Sequence, residues 1–305
     1  MKRLVYAILI AGLFLSLLNV KPARAMGQGD GICNGPEEVK YILVIGTDTR
    51  NVGYLYGLGD SIMVLRVDFQ KQEVGVIGFP RDLWVVIPDV TEDNGRTHGK
   101  LNQAYFFGTE GMGYYSGEGY GAGLMAETMK YNWGLEIDHH IVFNMRTFRD
   151  VVDALGGIEV YNPAPVYSFQ QPNQPKFFAG GYFFGGQEAL MYARYRDPQN
   201  SVDRVDRHAI VMKGLFNQVF SLTTIPKIPE LIGLYKGNVL TDMHLAELSQ
   251  FLCLAAQTDY DDVRFGRIPK DSLYIPDWVG FVWLEKEPGS IEILLQDFQD
   301  GKWPE

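Results

Sequence analysis

Three short apolar runs follow one another closely, each ending on a glycine, acidic or aromatic residue: Tyr41-Ile-Leu-Val-Ile-Gly, Ser61-Ile-Met-Val-Leu-Arg-Val-Asp and Glu73-Val-Gly-Val-Ile-Gly-Phe. Runs this brief and this rich in Val and Ile predict strands, the second and third joined by a polar turn. Leu83 to Ile87 reads as a further strand, Gly121 to Asn132 as a helix and His140 to Asn144 as extended chain. Met145 to Ala154 has helical apolar spacing, with Phe148, Val151, Val152 and Leu155 on one side, and Gly156-Gly157 stops it before a strand at Ile158 to Val160. Helices flank the segment from Tyr192 to His208. Lys227 to Leu234 and Leu245 to Gln257 read as helices, followed by a strand at Val263 to Ile268. Strands alternating with helices predict the α/β class: a single domain over 40–305 with a central mixed β-sheet flanked by helices. Its motif-bearing core spans 40–220 and a helical and strand tail spans 221–305.

The first 25 residues read differently. Lys2 and Arg3 precede an apolar run from Leu4 to Val20, and Ala23-Arg24-Ala25 has the form of a cleavage site. This is the pattern of a signal peptide, or of a membrane anchor if it is retained. In either case it predicts an extracytoplasmic protein, secreted or held at the outer face of the membrane. Residues 26–39 read as a Gly-rich flexible linker. Export permits a disulfide between Cys33 and Cys253, the two cysteines of the chain; the alternative is two unrelated thiols. The formal net charge of −10, with four basic residues confined to that first segment, argues against a nucleic-acid partner.

Against this acidic background, Tyr192 to His208 gathers Arg194, Arg196, Arg204 and Arg207 between two helices. A guanidinium presents a planar fork of donors matched to phosphate oxygens and keeps its charge. The cluster therefore reads as an anion site or, alternatively, as solvated Arg–Asp pairs. Asp48 falls just beyond the first strand and Asp60 just before the second. Two carboxylates at neighbouring strand ends suit a hard cation such as Mg2+ (or Mn2+), which shares its oxygen ligands with substrate phosphates; ordinary turn chemistry is the alternative. Pro80-Arg81-Asp82 closes the third strand, where Arg81 and Asp82 could equally form a surface pair. Gly108 to Gly123 holds seven glycines with Tyr114, Tyr115 and Tyr120, and reads as a lid, a sugar-stacking surface or a surface insertion.

These motifs occur in the order found in the LytR-CpsA-Psr family of cell-wall glycopolymer ligases, which the chain resembles over roughly residues 40 to 215. The matching segments are Gly46-Thr-Asp48-Thr-Arg50, Asp60-Ser61, Pro80-Arg81-Asp82, Lys100-Leu-Asn102-Gln-Ala-Tyr105, Val151 to Val160, Gly186 to Arg196 and Asp203-Arg204-Val-Asp-Arg207. The resemblance implies transfer of a glycan phosphate from an undecaprenyl-pyrophosphate carrier to peptidoglycan or a related wall acceptor. It implies Asp48 and Asp60 as ligands of Mg2+, and Arg81, Asp82, Arg194, Arg196, Arg204 and Arg207 as catalytic residues. Arg50, Lys100, Asn102, Tyr105 and His208 would contact the substrate. Leu58 and Ser201 depart from the family pattern, which often has Arg and Asp there, and His208 stands where Gln is usual. Those departures motivate two alternatives: a non-catalytic binder of polyprenyl-pyrophosphate glycans, and a hydrolase that releases the lipid-linked glycan to water.

Overall fold

The computed structural model describes residues 35–50, 55–88, 90, 98–168, 171–195, 203–219, 238–258, 263–277 and 281–303. The N-terminal apolar run, Cys33, the expected helix at 227–234, Arg196 and Ser201 lie outside the described residues. In chain order the elements begin with strands β1 (Lys40–Thr47), β2 (Gly59–Asp68), β3 (Glu73–Phe79), β4 (Trp84–Val86) and β5 (His98–Lys100). Helices α1 (Leu101–Phe107) and α2 (Tyr120–Trp133) lead to β6 (His139–Asn144), α3 (Met145–Ala154) and β7 (Ile158–Asn162). Then come β8 (Val166–Ser168), β9 (Gln171–Phe177), β10 (Gly180–Phe184), α4 (Gly186–Arg194) and α5 (Asp203–Val219). The chain finishes with β11 (Val239–Thr241), α6 (Leu245–Gln257), β12 (Arg264–Arg267), β13 (Leu273–Tyr274), β14 (Leu284–Glu285) and α7 (Ser290–Gln299).

The six-stranded central sheet has the order β11-β6-β1-β2-β3-β12. β1 runs parallel to β6 and β3 parallel to β12, and the other neighbours are antiparallel, so the sheet is mixed. Both edge strands come from the C-terminal tail, which therefore completes the sheet.

Alternation along β1 explains why it reads as continuously apolar. Leu43 and Ile45 enter one core together with Ile62, Val64, Ile77 and Phe79, beneath Leu101, Leu124, Met125, Met129, Leu295 and Phe298 of α1, α2 and α7. Ile42 and Val44 enter the other core with Met63, Val67, Val74 and Val76, against Leu254 of α6 and the half-buried Met212 and Phe216 of α5. A strand covered on both faces has no side left for polar residues. Burial of each such side chain contributes about 1.5–3 kcal/mol. A third cluster joins α3, the β7–β10 ribbon, α4 and α5 through Val152, Ile158, Phe184, Tyr192 and Val211. It fixes the two helices that bracket the arginine segment.

β7 was expected, but its partner β10, the β8–β9 and β13–β14 ribbons and α7 were not legible in the sequence. β9 reads Gln-Pro-Asn-Gln-Pro-Lys-Phe, two prolines among polar residues, and carries no apolar alternation. In the glycine-rich segment before α2, Tyr115 donates to Glu127 at 2.7 Å, and Tyr114 and Tyr120 stay exposed. Cys253 lies half-buried in α6 and is not a free thiol.

Candidate active site

The site begins with an irregularity between β1 and β2. Gly46 pairs with Ser61 but Thr47 pairs with Gly59, so Asp60 is the extra residue of a β-bulge. A bulge re-aims the side chain it carries. Just beyond β1, Asp48 closes the loop that returns to β2. Its backbone N–H donates to the Leu58 carbonyl at 3.1 Å, and its carboxylate accepts from the Leu58 N–H at 2.9 Å. The Leu58 side chain plays no part in that exchange, so the loop closes without the Arg of the family pattern.

Three distant segments converge on Asp60. Arg81, in the turn after β3, places Nη1 at 2.6 Å from both carboxylate oxygens. Asn102 of α1 donates through Nδ2 to Oδ1 at 3.3 Å. Arg204 of α5 donates to the Asp60 carbonyl at 3.1 Å and stands 3.7 Å from the carboxylate. Its approach depends on Gly78 of β3, where a Cβ would fall 2.3 Å from Val205 Cγ1. The backbone gap at Gly78 lets the first turn of α5 lie on the sheet, and Arg204 follows from that seat. Arg81 Nε reaches Asp82 at 3.3 Å, and Lys100 Nζ donates to the other oxygen of Asp82 at 3.0 Å. The α1 start is tied to the same turn by the Asn102 N–H on the Arg81 carbonyl at 3.0 Å.

Burial alone would raise the Asp60 carboxyl. The Arg81 bond and the charges of Arg204 and Arg81 outweigh it and hold the group below the usual carboxylate range. Asp60 is therefore an anion held by at least two guanidiniums. Asn102 is 2% exposed, and its Oδ1 is buried without a hydrogen-bond partner among the described residues. A buried orphan acceptor costs on the order of 1–3 kcal/mol, and its persistence here points to a ligand group.

The remaining expected site residues divide. Arg207 is 4% exposed and donates to the Tyr195 carbonyl. Arg194 ends α4 on an exposed position, and Arg50 is exposed beyond Asp48. His208 is half-buried on α5, where burial and the charges of Arg204 and Arg207 push its imidazole down to about 3. Tyr105, expected from the family resemblance at the substrate, is 2% exposed and packs within the core under α1 and α2. Burial, helped by Tyr56, raises its phenol. The sequence did not announce the bulge that aims Asp60 or the close approach at Gly78. Its only signal for either was a glycine inside a strand.

The chain belongs to the LytR_cpsA_psr family, whose model matches residues 26–291. It is 28% identical over 235 residues to the polyisoprenyl-teichoic acid–peptidoglycan teichoic acid transferase TagU of Enterococcus faecalis, covering 76% of this chain and 69% of that protein. The protein of the same description from Halalkalibacterium halodurans is 32% identical over 208 residues, covering 67% of this chain and 61% of that one. The fold matches the crystal structure of Bacillus subtilis TagV with a TM-score of 0.66 at 22% identity, over 88% of this chain and all (100%) of that one.

Proposed function

We propose that the chain transfers a glycan phosphate from a polyprenyl-pyrophosphate carrier to peptidoglycan or a related wall acceptor, outside the membrane. One observation carries this reading. Arg81 and Arg204, 123 residues apart by their numbers, meet on one strand-end carboxylate beside a buried orphan amide oxygen. The named activity of the TagU relatives, transfer of teichoic acid to peptidoglycan, supports it.

In this reading the acceptor hydroxyl attacks the glycan-bearing phosphorus. A new phosphorus–oxygen bond forms, the bond to the bridging oxygen breaks, and the polyprenyl monophosphate leaves. The hydroxyl proton passes to the leaving phosphate or to water. Charge neutralisation and positioning supply most of the catalysis of such a transfer. Arg81 and Arg204, preset on Asp60, would exchange that carboxylate for phosphate oxygens, with Arg194, Arg196 and Arg207 adding positive charge around them. Lys100 holds Asp82, and Asp82 holds the Nε side of Arg81, so the guanidinium keeps its orientation during the exchange. Asn102 Oδ1 would accept a hydrogen bond from the acceptor or the substrate.

The donor set fits a divalent cation. Among the described residues no group of three or more His, Cys, Asp or Glu gathers as a metal site. Two carboxylates at adjacent strand ends, completed by substrate oxygens, are what Mg2+ commonly uses. Asp48 and Asp60 would hold Mg2+ (or Mn2+), which supplies further neutralisation of the pyrophosphate when bound. No helix among the described residues is long and apolar enough to cross a membrane.

The deciding experiment incubates the purified chain with a lipid-pyrophosphate oligosaccharide, Mg2+ and peptidoglycan. Glycan attached to peptidoglycan is the expected product. Unaltered substrate identifies a binder, and free sugar phosphate a hydrolase.

A further inference from the structure

The sheet end that carries the site has a fourth strand, and the C-terminal tail supplies it. β12 runs parallel to β3, with Arg267 opposite Gly78 and the Ile268 N–H on the Gly78 carbonyl at 3.2 Å. The start of β2 and the ends of β1, β3 and β12 therefore lie at one end of the sheet. Asp48, Asp60, Arg81 and Arg267 follow one another across it, one to a strand. Neighbouring strands stand about 4.8 Å apart, so the end of β12 lies roughly one such spacing beyond that of β3. Side chains alternate along a strand. Phe265 faces α5, where Lys213 Nζ lies 5.1 Å from its ring, and a Cβ on Gly266 would point the other way, 3.2 Å from Trp303. Arg267 returns to the α5 side, and its Nε meets Asp206 at 2.5 Å. Asp206 adjoins Val205, the residue seated on Gly78. The Arg267 Nη1 is buried with no hydrogen-bond partner among the described residues, although the side chain as a whole is 31% exposed. A buried N–H without an acceptor is costly, and a charged one is the donor that phosphate oxygens take most strongly.

We propose that Arg267 is a further substrate-binding arginine: it takes the second phosphate of the pyrophosphate whose first phosphate Arg81 and Arg204 hold. Asp206 occupies Nε and orients the guanidinium, as Asp60 orients Arg81, and the Nη side is left for a ligand. One phosphate on Arg81 leaves the next strand end uncovered, whereas a second phosphate bridged to it extends along the row. Asn102 Oδ1 lacks a donor and Arg267 Nη1 lacks an acceptor among the described residues. The acceptor hydroxyl and the pyrophosphate of the proposed transfer supply one of each. Arg267 lies outside every motif that marks the rest of the site, and only the pairing of the tail with β3 brings it to this sheet end. The inference rests on the phosphate-transfer reading for the identity of the anion.

The test compares geranylgeranyl pyrophosphate with geranylgeranyl monophosphate, each titrated by calorimetry into the purified chain with Mg2+, with thermal unfolding followed in parallel. R267A should weaken pyrophosphate binding by about tenfold, the scale of one charge-assisted contact, and leave monophosphate binding within about twofold of the parent. R264A, which removes an exposed charge at the other end of β12, should alter neither. D206N removes a carboxylate that competes with the phosphate for the guanidinium, so pyrophosphate binding should hold or tighten. Equal losses on both probes in R267A, parental binding of both, or a loss in D206N matching that in R267A overturns the inference; Arg267 and Asp206 would then only tie the tail to α5. If R267A does not fold, R267K carries the test. A point charge in place of the fork should cost several-fold on the pyrophosphate alone, and parental binding there overturns the inference. A parent that binds the pyrophosphate no better than the monophosphate overturns it too. A parent that shows the preference but transfers no glycan defeats the transferase reading and leaves this inference standing.

Discussion

Strand β2 carries a buried ionic cluster at each end, and the two are built differently. At its far end Arg66 is 5% exposed, stands 3.5 Å from the Asp68 carboxylate and donates through Nε to the Gln299 carbonyl at 3.2 Å. Asp68 in turn accepts the backbone N–H groups of Gln70 and Lys71 at 3.1 and 2.9 Å. One buried cation meets one buried anion, the exposed Lys71 stands 3.9 Å from the same carboxylate, and turn and helix backbone take up the remaining capacity. At the near end Arg81 and Arg204 crowd onto Asp60, Lys100 and Arg81 share Asp82, and Asn102 Oδ1 has no partner among the described residues. Here a buried acceptor is left over among the described residues. A closed set of charges fastens a structure. An open set, kept in place by the surrounding fold, marks where a ligand completes the count.

That contrast is most exposed to failure at Asp60. D60N should lower glycan transfer by on the order of a hundredfold or more, since it removes the proposed metal ligand and the anchor of two guanidiniums together. Kinetics on the purified variant, beside a melting curve, give the measurement; near-parental turnover would place Asp60 with Asp68 among structural groups. The reverse holds at Arg66. R66A should destabilise the fold by roughly 3 kcal/mol, because it leaves Asp68 buried without its charge partner. Turnover per folded molecule should stay at the parental value, and chemical denaturation with an activity assay separates the two quantities. Substitution of fork by point charge comes next. R81K and R204K should each cost about tenfold in kcat/KM, from the loss of a contact worth roughly 1.5–3 kcal/mol. R66K, at the closed end, should leave kcat/KM unaltered.

The smallest expected effect concerns acid. His208 has its folded value depressed to about 3, so the unfolded chain takes up this proton first as pH falls. Its contribution to stability is complete above its ordinary value near 6.5 and declines as pH drops from there toward 3. H208Q lacks this group, so its Tm should fall less than the parental Tm between pH 6.5 and 4.5. Equal slopes in the two proteins would mean that the ring is not buried neutral. Asp60, held below its ordinary value of 3.8, stays charged across that interval and contributes nothing to the difference.

Much of the scaffold could be read before any coordinates. β1, β2, β3, β6, α3 and α6 appear within a residue or two of their expected limits, because each buries a regular set of apolar positions. β7 was expected, but its partner β10 and the β8–β9 ribbon escaped notice: their strands are short, partly polar or proline-bearing, and are held by cross-strand pairing. At the site, Asp48, Asp60, Arg81, Asp82, Lys100, Asn102 and Arg204 were all singled out by motif. Their mutual contacts were not, and Tyr105 proved to belong to the core.

The sequence by itself determined the strand-and-helix alternation, the carboxylates at the ends of the first two strands and the enrichment of arginine in one segment. These are local properties, set by side-chain period and turn chemistry within a few residues. Only the tertiary structure decided that Asp60 would be the bulged residue, that Val205 would seat against Gly78, and that Arg204 would reach a carbonyl 144 positions earlier in the chain. It also decided that Arg207 would turn toward the end of α4. Such contacts depend on strand order, register and the seating of one helix on a sheet, and no local periodicity encodes them.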